Sequence, residues 1–258
     1  MPENELSITA IPAFDDNYIW LLKAGGNACA VVDPGDADPV LEILEQQGLD
    51  LRYILLTHHH YDHTGGVPGL LERYQARVFG PADERLSHVH QVCRQGDEIH
   101  LPDLGASFQV LEVPAHTHSH IAFYSRSILF CGDTLFSLGC GRFFEGTAAD
   151  MQQSLDKLAV LPADTKVYCA HEYTQANCAF ALAVEPGNTA LQARAREIDR
   201  LRAAGKITLP SRLGDELAMN PFLRTRAASV VETAQKRDPE ATPGTATMAI
   251  IRAWKDRF

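Results

Sequence analysis

The sequence predicts a mixed α/β domain followed by a small all-helical one, on three observations. Strand-like apolar runs alternate with helix-like stretches up to residue 171 and then give way to helices. All 11 histidines lie between His58 and His171, so the last part of the chain has none. The charge changes sign at the same place. Residues 1–171 carry 10 basic and 23 acidic side chains, net −13, whereas residues 172–258 carry 13 and 10, net +3. Together these give the −10 of the whole 258-residue chain. One unit over 1–172 and a second over 173–258 are expected.

Each element has a local cause. Apolar runs at 19–23 and 29–32, separated by Gly25-Gly26, read as a hairpin. The Asp33-Pro34-Gly35 turn leads to a helix over 38–47, stopped by Gly48. Residues 53–56 read as a buried strand with a histidine run directly after it. A helix over 67–74 and an extended run at 77–79 follow. Strands are expected at 108–113, 121–124, 128–131 and 166–169. A helix over 151–161 carries Leu155, Leu158 and Leu161 at helical spacing. Beyond His171, helices are expected at 177–184, 191–204, 227–236 and 246–254, with Pro and Gly between them.

Composition narrows the function. At 45% hydrophobic and 22% charged residues the chain is that of an ordinary folded protein. A net −10 does not offer the broad basic surface of a nucleic-acid binder. No apolar run reaches the ~18 residues of a membrane helix. The acidic start Met1-Pro2-Glu3-Asn4-Glu5 lacks the apolar region of a secretory signal. Cys29, Cys93, Cys131, Cys140, Cys169 and Cys178 form no C-x-x-C pair and read as buried small hydrophobes in a reducing cytosol. The absence of a long apolar stripe makes a monomer the expectation.

The chemistry concentrates in Thr57-His58-His59-His60-Tyr61-Asp62-His63, between a buried strand and a Gly-rich helix start. On an extended segment residues two apart face one side, so His58 and His60 can share an ion while His59 turns away. Asp62 and His63 lie past the turn and can reach a second ion. His116, Asp133 and His171 each follow a strand-like run, which converges side chains at one edge of a sheet. Imidazole and carboxylate without thiolate suit zinc, iron or manganese. His88, His90 and His100 stand in polar stretches and read as solvated. Asp33 reads either as a carboxylate behind the ligands or as a turn cap.

These strings carry a resemblance. T-H-x-H-x-D-H, a later single His, the Asp of Cys131-Gly132-Asp133-Thr134 and a last His resemble the metallo-β-lactamase superfamily. The finer strings F-C-G-D-T-L-F, G-C-G-R-F-F-E-G-T and A-H-E-Y-T, with the closing Lys255-Asp256-Arg257-Phe258, resemble the glyoxalase II (hydroxyacylglutathione hydrolase) family. The likeness runs from about Asn17 to Phe258. It implies a four-layer αββα metallo-β-lactamase sandwich with a small all-helical C-terminal domain. It further implies a cytoplasmic thioester hydrolase converting S-(2-hydroxyacyl)glutathione, typically S-D-lactoylglutathione, to D-lactate and glutathione, the second step of methylglyoxal detoxification.

By motif position, the resemblance implies two divalent metal ions per chain, zinc first, with iron or manganese as alternatives. His58, His60 and His116 would hold one ion, Asp62, His63 and His171 the other, and Asp133 would bridge them. Water deprotonated between the ions would attack the thioester carbonyl, and the thiolate would leave without a strong general acid. Asp62 and Asp133 would serve mainly as ligands, Asp133 also orienting the hydroxide. Arg142, Phe144, Tyr173, Arg252 and Lys255 occupy the glutathione-binding positions, with Arg252 and Lys255 on one helix face. Residues 1–172 would carry the metals and 173–258 the substrate.

The complete second site sets the chain apart from one-iron relatives such as persulfide dioxygenases. Two departures from the pattern stand out. Phe144 takes a place where many relatives have Tyr. Ala115-His116-Thr117-His118-Ser119-His120 replaces both glycines of G-H-T-x-G-H and adds His118. A lactonase, β-lactamase or nuclease on the same fold would leave Arg252 and Lys255 without a task. A non-catalytic metal protein would close the coordination shell against water.

Overall fold

The structure is a computed structural model that describes residues 6–258. The chain divides into two compact units, the first running to Glu112 and including Ser119–Gly132, the second comprising Val113–His118 and Asp133–Phe258.

In the first unit, β1 (Ser7–Ala13), β2 (Asn17–Lys23) and β3 (Ala28–Val32) form an antiparallel meander. Helix α1 (Asp38–Gln47) then crosses to β4 (Asp50–Leu55), which lies parallel to β3. Gly48 ends α1 in the left-handed conformation at φ 61°, which glycine adopts without steric cost. The single-turn α2 (Tyr61–Thr64) and α3 (Val67–Arg73) lead to β5 (Arg77–Pro81), parallel to β4, and to β6 (Gln91–Cys93). Val40 and Leu44 of α1 and Val67 and Leu70 of α3 bury against Ile19, Leu21, Val31, Ile54 and Val78 of this sheet. A second group of strands follows: β7 (Glu98–Leu101), β8 (Ala106–Glu112), β9 (Ile121–Ser125) and β10 (Ile128–Gly132), each antiparallel to the next.

The second unit opens with a tight hairpin of β11 (Leu135–Phe136) and β12 (Gly139–Cys140). Helix α4 (Ala148–Ala159) precedes β13 (Lys166–Cys169), and α5 (Thr174–Val184) and α6 (Thr189–Ala203) follow. The two-residue β14 (Ser211–Arg212) pairs antiparallel with β13. Helices α7 (Leu213–Met219), α8 (Ala228–Gln235) and α9 (Thr245–Lys255) complete the chain. Leu138, Cys178, Ala181, Leu191, Ile198 and Met219 form a buried cluster here.

Most expected elements stand within a few residues of their sequence positions. Strand β1 was not anticipated, because Pro12 breaks its pattern; β1 stands at the edge of its sheet, where proline is tolerated. Helix α4 begins three residues before the expected start, because Thr147 and Asp150 form a reciprocal capping box. Strand β14 interrupts the expected run of helices, and α7 escapes detection behind Gly214 in its first turn. His88, His90 and His100 are exposed, as expected. All six cysteines are buried thiols outside any disulfide, also as expected. Among the described residues no helix is long and apolar enough to cross a membrane.

Candidate active site

Parallel pairing sets the first cluster. Val32 at the end of β3 pairs with Leu55 at the end of β4, so the segments leaving the two strands emerge side by side. Asp33 is the first residue beyond β3, buried, in the left-handed region at φ 52°. Its Oδ1 accepts the Thr57 N–H at 2.8 Å and its Oδ2 the Thr57 hydroxyl at 2.7 Å. The same Oδ2 lies 3.0 Å from His63 Nδ1. The Asp33 carboxylate thus ties the start of the histidine loop to α2.

That tie decides which ring nitrogens remain available. The Thr57 hydroxyl gives its proton to Asp33, so His58 Nδ1, 3.0 Å away, donates to it. His58 Nε2 then faces His60 Nδ1 at 3.1 Å. His63 turns Nδ1 to Asp33, which leaves Nε2 3.4 Å from Asp62 Oδ2. Asn17, from the first residue of β2, donates to Asp62 Oδ2 at 3.0 Å and to the Asp62 carbonyl at 3.4 Å. His59 points elsewhere: its Nδ1 lies 3.4 Å from Asp83, which also accepts from Ser119 at 2.6 Å and from Arg85 at 2.7 Å. The Arg85 guanidinium and the Ser119 hydroxyl hold the Asp83 carboxyl well below the usual range. His120 stacks on His58 with ring centroids 4.6 Å apart.

The second unit holds a cluster of its own. His116 is buried, and its Nδ1 meets the Arg142 carbonyl at 3.1 Å, so that nitrogen carries the proton. His116 Nε2 lies 3.4 Å from Asp133 Oδ2, and His171 Nε2 lies 3.3 Å from the same oxygen. His118 is exposed, and its backbone N–H donates to Glu145 Oε2 at 2.7 Å. Ala115, where the family pattern has glycine, takes φ 153°. Gly146 is required opposite it, since a Cβ there would lie 2.5 Å from the Ala115 Cα.

These separations suit a metal. An ion with bonds of ~2.0–2.1 Å in tetrahedral geometry holds neighbouring donor atoms about 3.3 Å apart. The pairs His58/His60, Asp62/His63, His116/Asp133 and His171/Asp133 lie between 3.1 and 3.4 Å. A neutral His116 with its proton on Nδ1 presents a lone pair to a carboxylate oxygen, an arrangement that a cation between them satisfies. Asp133 Oδ2 stands within that reach of two imidazoles at once. His/Asp clusters on this fold support divalent metal binding.

The residues expected to bind substrate divide. Tyr173 stacks on His171, the rings 4.7 Å apart and 5° from parallel. Phe144 is exposed, its ring edge-on to His116 at 5.2 Å. Arg142 and Arg252 come together on one residue the sequence reading did not single out: Asp256 Oδ1 lies 3.7 Å from Arg142 Nε and 3.0 Å from Arg252 Nη2. Arg252 is 5% exposed and donates to the Cys140 carbonyl at 2.9 Å. Lys255 is half-buried, near the Ala176 carbonyl at 3.3 Å and the Phe180 ring at 5.3 Å. Burial and the neighbouring Arg252 charge push its amine down to about 8. Among the cysteines, burial pushes Cys29 up to about 12 and Cys93, Cys140 and Cys178 up to about 11, so these four are not thiolate nucleophiles near neutral pH.

Residues 13–171 match the family model of the metallo-beta-lactamase superfamily, and residues 172–258 match that of the hydroxyacylglutathione hydrolase C-terminus. The chain is 51% identical to the hydroxyacylglutathione hydrolase of Pseudomonas fluorescens, over 98% of this chain and 100% of that protein. It is 49% identical to the enzyme of that name from Photobacterium profundum, with the same coverage. Among solved structures, ETHE1 from Myxococcus xanthus superposes with a TM-score of 0.65 at 23% identity, covering 97% of this chain and 98% of its own. TTHA1623 in a di-iron-bound form gives 0.54 at 29% identity, covering 64% and 91%. The metallo-β-lactamase fold expected from the sequence, with mixed α/β sheets and a helical C-terminal region, is borne out. The chain belongs to the hydroxyacylglutathione hydrolase family of the metallo-β-lactamase superfamily.

Proposed function

We propose that the chain is a dinuclear-metal thioesterase that hydrolyses S-(2-hydroxyacyl)glutathione, S-D-lactoylglutathione above all, to the hydroxy acid and free glutathione. The observation that carries this is the identity of about half over nearly full length to proteins named hydroxyacylglutathione hydrolase. The ligand proposal is His58, His60 and His116 for one ion, Asp62, His63 and His171 for the other, and Asp133 between them. Its support is the set of donor separations above and the di-iron form of TTHA1623. Two such ions would polarise the thioester carbonyl and activate a water near neutral pH.

The remaining work falls to side chains. Asp33 and Thr57 hold His58 and His63 in the tautomers that leave Nε2 for metal. Asn17 holds Asp62 by its carboxylate. A thiolate departs without needing a proton, so the site requires no strong general acid. Glutathione carries two carboxylates, and Arg142 and Lys255 would receive them, with Tyr173 and Phe144 lining the approach. In this reading residues 1–172 carry the metals together with Arg142 and Phe144, and 173–258 supply the rest of the grip on the substrate. The protein works as a cytoplasmic monomer, with zinc as the first choice of metal, and engages neither nucleic acid nor membrane.

The test is loss of thioester from S-D-lactoylglutathione with purified, metal-loaded protein. Turnover is expected, and none above a His58→Ala control would overturn the reading.

A further inference from the structure

The β11–β12 hairpin separates Asp133 from Arg142, and side chains from the helical region hold five of its backbone groups. Glu216 Oε2, on α7, accepts the Leu138 N–H at 2.7 Å and the Asn220 side-chain amide at 3.0 Å. The same Asn220 nitrogen lies 3.1 Å from the Phe136 carbonyl and 2.9 Å from the Gly139 carbonyl. Asn177, on α5, donates to the Ser137 carbonyl at 3.1 Å. Arg252, on α9, donates to the Cys140 carbonyl at 2.9 Å.

The arrangement is costly in isolation. Glu216 is 1% exposed, and burial pushes its carboxyl up. A buried carboxylate is tolerated only where hydrogen bonds satisfy it. Leu138 sits in the left-handed region at φ 59°, a conformation that non-glycine residues hold only when their surroundings impose it. A Cβ on Gly139 would lie 2.5 Å from the Asn177 amide nitrogen, so a side chain there would displace the Asn177 amide. A hydrogen-bonded polar cluster of this kind specifies one backbone geometry more sharply than apolar packing does.

That geometry reaches the metal ligands. At the base of the hairpin Gly141 N–H donates to the Thr134 carbonyl at 3.2 Å. One arm begins next to Asp133, and the other ends next to Arg142, whose carbonyl fixes the His116 tautomer. We propose that Glu216 and Asn220 are positioning residues that lock the 135–140 hairpin, so that helices α5, α7 and α9 set Asp133, His116 and Arg142 together. The inference rests on the reading of Asp133 and His116 as metal ligands.

The test compares Glu216→Ala with Glu216→Gln, which keeps an acceptor for the Leu138 N–H. Metal retention is read by competition with a chelator on folded protein, alongside kcat and KM. Glu216→Ala is expected to weaken retention about 10-fold and to lower kcat similarly, in the range for residues that orient ligands. Glu216→Gln should stay within about threefold of wild type. If the alanine variant does not fold, Asn177→Ser, which removes the contact to Ser137, replaces it with an expected loss of about threefold. A folded Glu216→Ala, or failing that Asn177→Ser, with wild-type retention and kcat would overturn the proposal. So would a glutamine variant as impaired as alanine. Wild-type protein that retains metal but hydrolyses no thioester would sink the functional reading alone, because chelator competition still decides the positioning role.

Discussion

Asp33 Oδ2 lies 3.0 Å from His63 Nδ1, and the carboxylate reaches that point from a left-handed backbone at φ 52°. Aspartate and asparagine tolerate this conformation better than other non-glycine residues, so Asp33→Asn removes the charge with little change to the turn. It should weaken metal retention about 10- to 100-fold, the range for a lost partner behind a ligating imidazole. Chelator competition on the folded variant checks this. Unchanged retention would reduce Asp33 to a turn cap.

Asn17 acts on the other member of the same pair. Its amide meets the Asp62 carboxylate at 3.0 Å, a charge-assisted bond of about 1.5–3 kcal/mol. Asn17→Ala frees that carboxylate and should weaken retention of one ion about 10-fold while the other stays bound. Metal-to-protein ratio after graded chelation separates the two. Simultaneous loss of both ions, or of neither, would contradict the assignment.

Lys255 gives a pH dependence with a definite sign. With its amine lowered to about 8, the ammonium is present below that pH and disappears above it. Arg252, Arg142, Asp256 and Cys140 are the titratable or charged neighbours that act on it. As a partner for a substrate carboxylate it works only while charged, so kcat/KM should fall as pH rises through about 8. Lys255→Ala should raise KM several-fold more than it lowers kcat and abolish that alkaline limb. Steady-state kinetics from pH 6 to 10 in both proteins decide the matter.

Phe144 marks a departure that can be reversed. Its exposed ring stands beside His116 and offers no hydrogen bond. Restoring the hydroxyl in Phe144→Tyr supplies a contact of about 0.5–1.5 kcal/mol. KM for the glutathione thioester should fall about 2- to 10-fold with kcat nearly unchanged. A KM that stays or rises would place the ring outside the substrate path.

Much of this molecule was legible in the sequence because the relevant signals are local. Gly48 ends α1 at the position its residue type announces. The spacing of His58 and His60 put both rings on one side and turned His59 away, toward Asp83. What escaped depends on distant partners. Asn17 carries no local signal, and only the fold brings it against Asp62, 45 positions later. Glu216 carries no local signal, yet it is buried, where it accepts from the Leu138 N–H and the Asn220 amide. Arg252 and Lys255 lie three apart on α9, and nothing local announces that Arg252 also donates to the Cys140 carbonyl and meets Asp256. Asp256 itself gave no signal beyond its place in the closing string.

The most direct measurement titrates divalent metal into metal-free protein while following hydrolysis of S-D-lactoylglutathione. Turnover should rise with loading and level off at two ions per chain, and a His58→Ala control should stay near background. Absence of turnover at every loading would contradict the account.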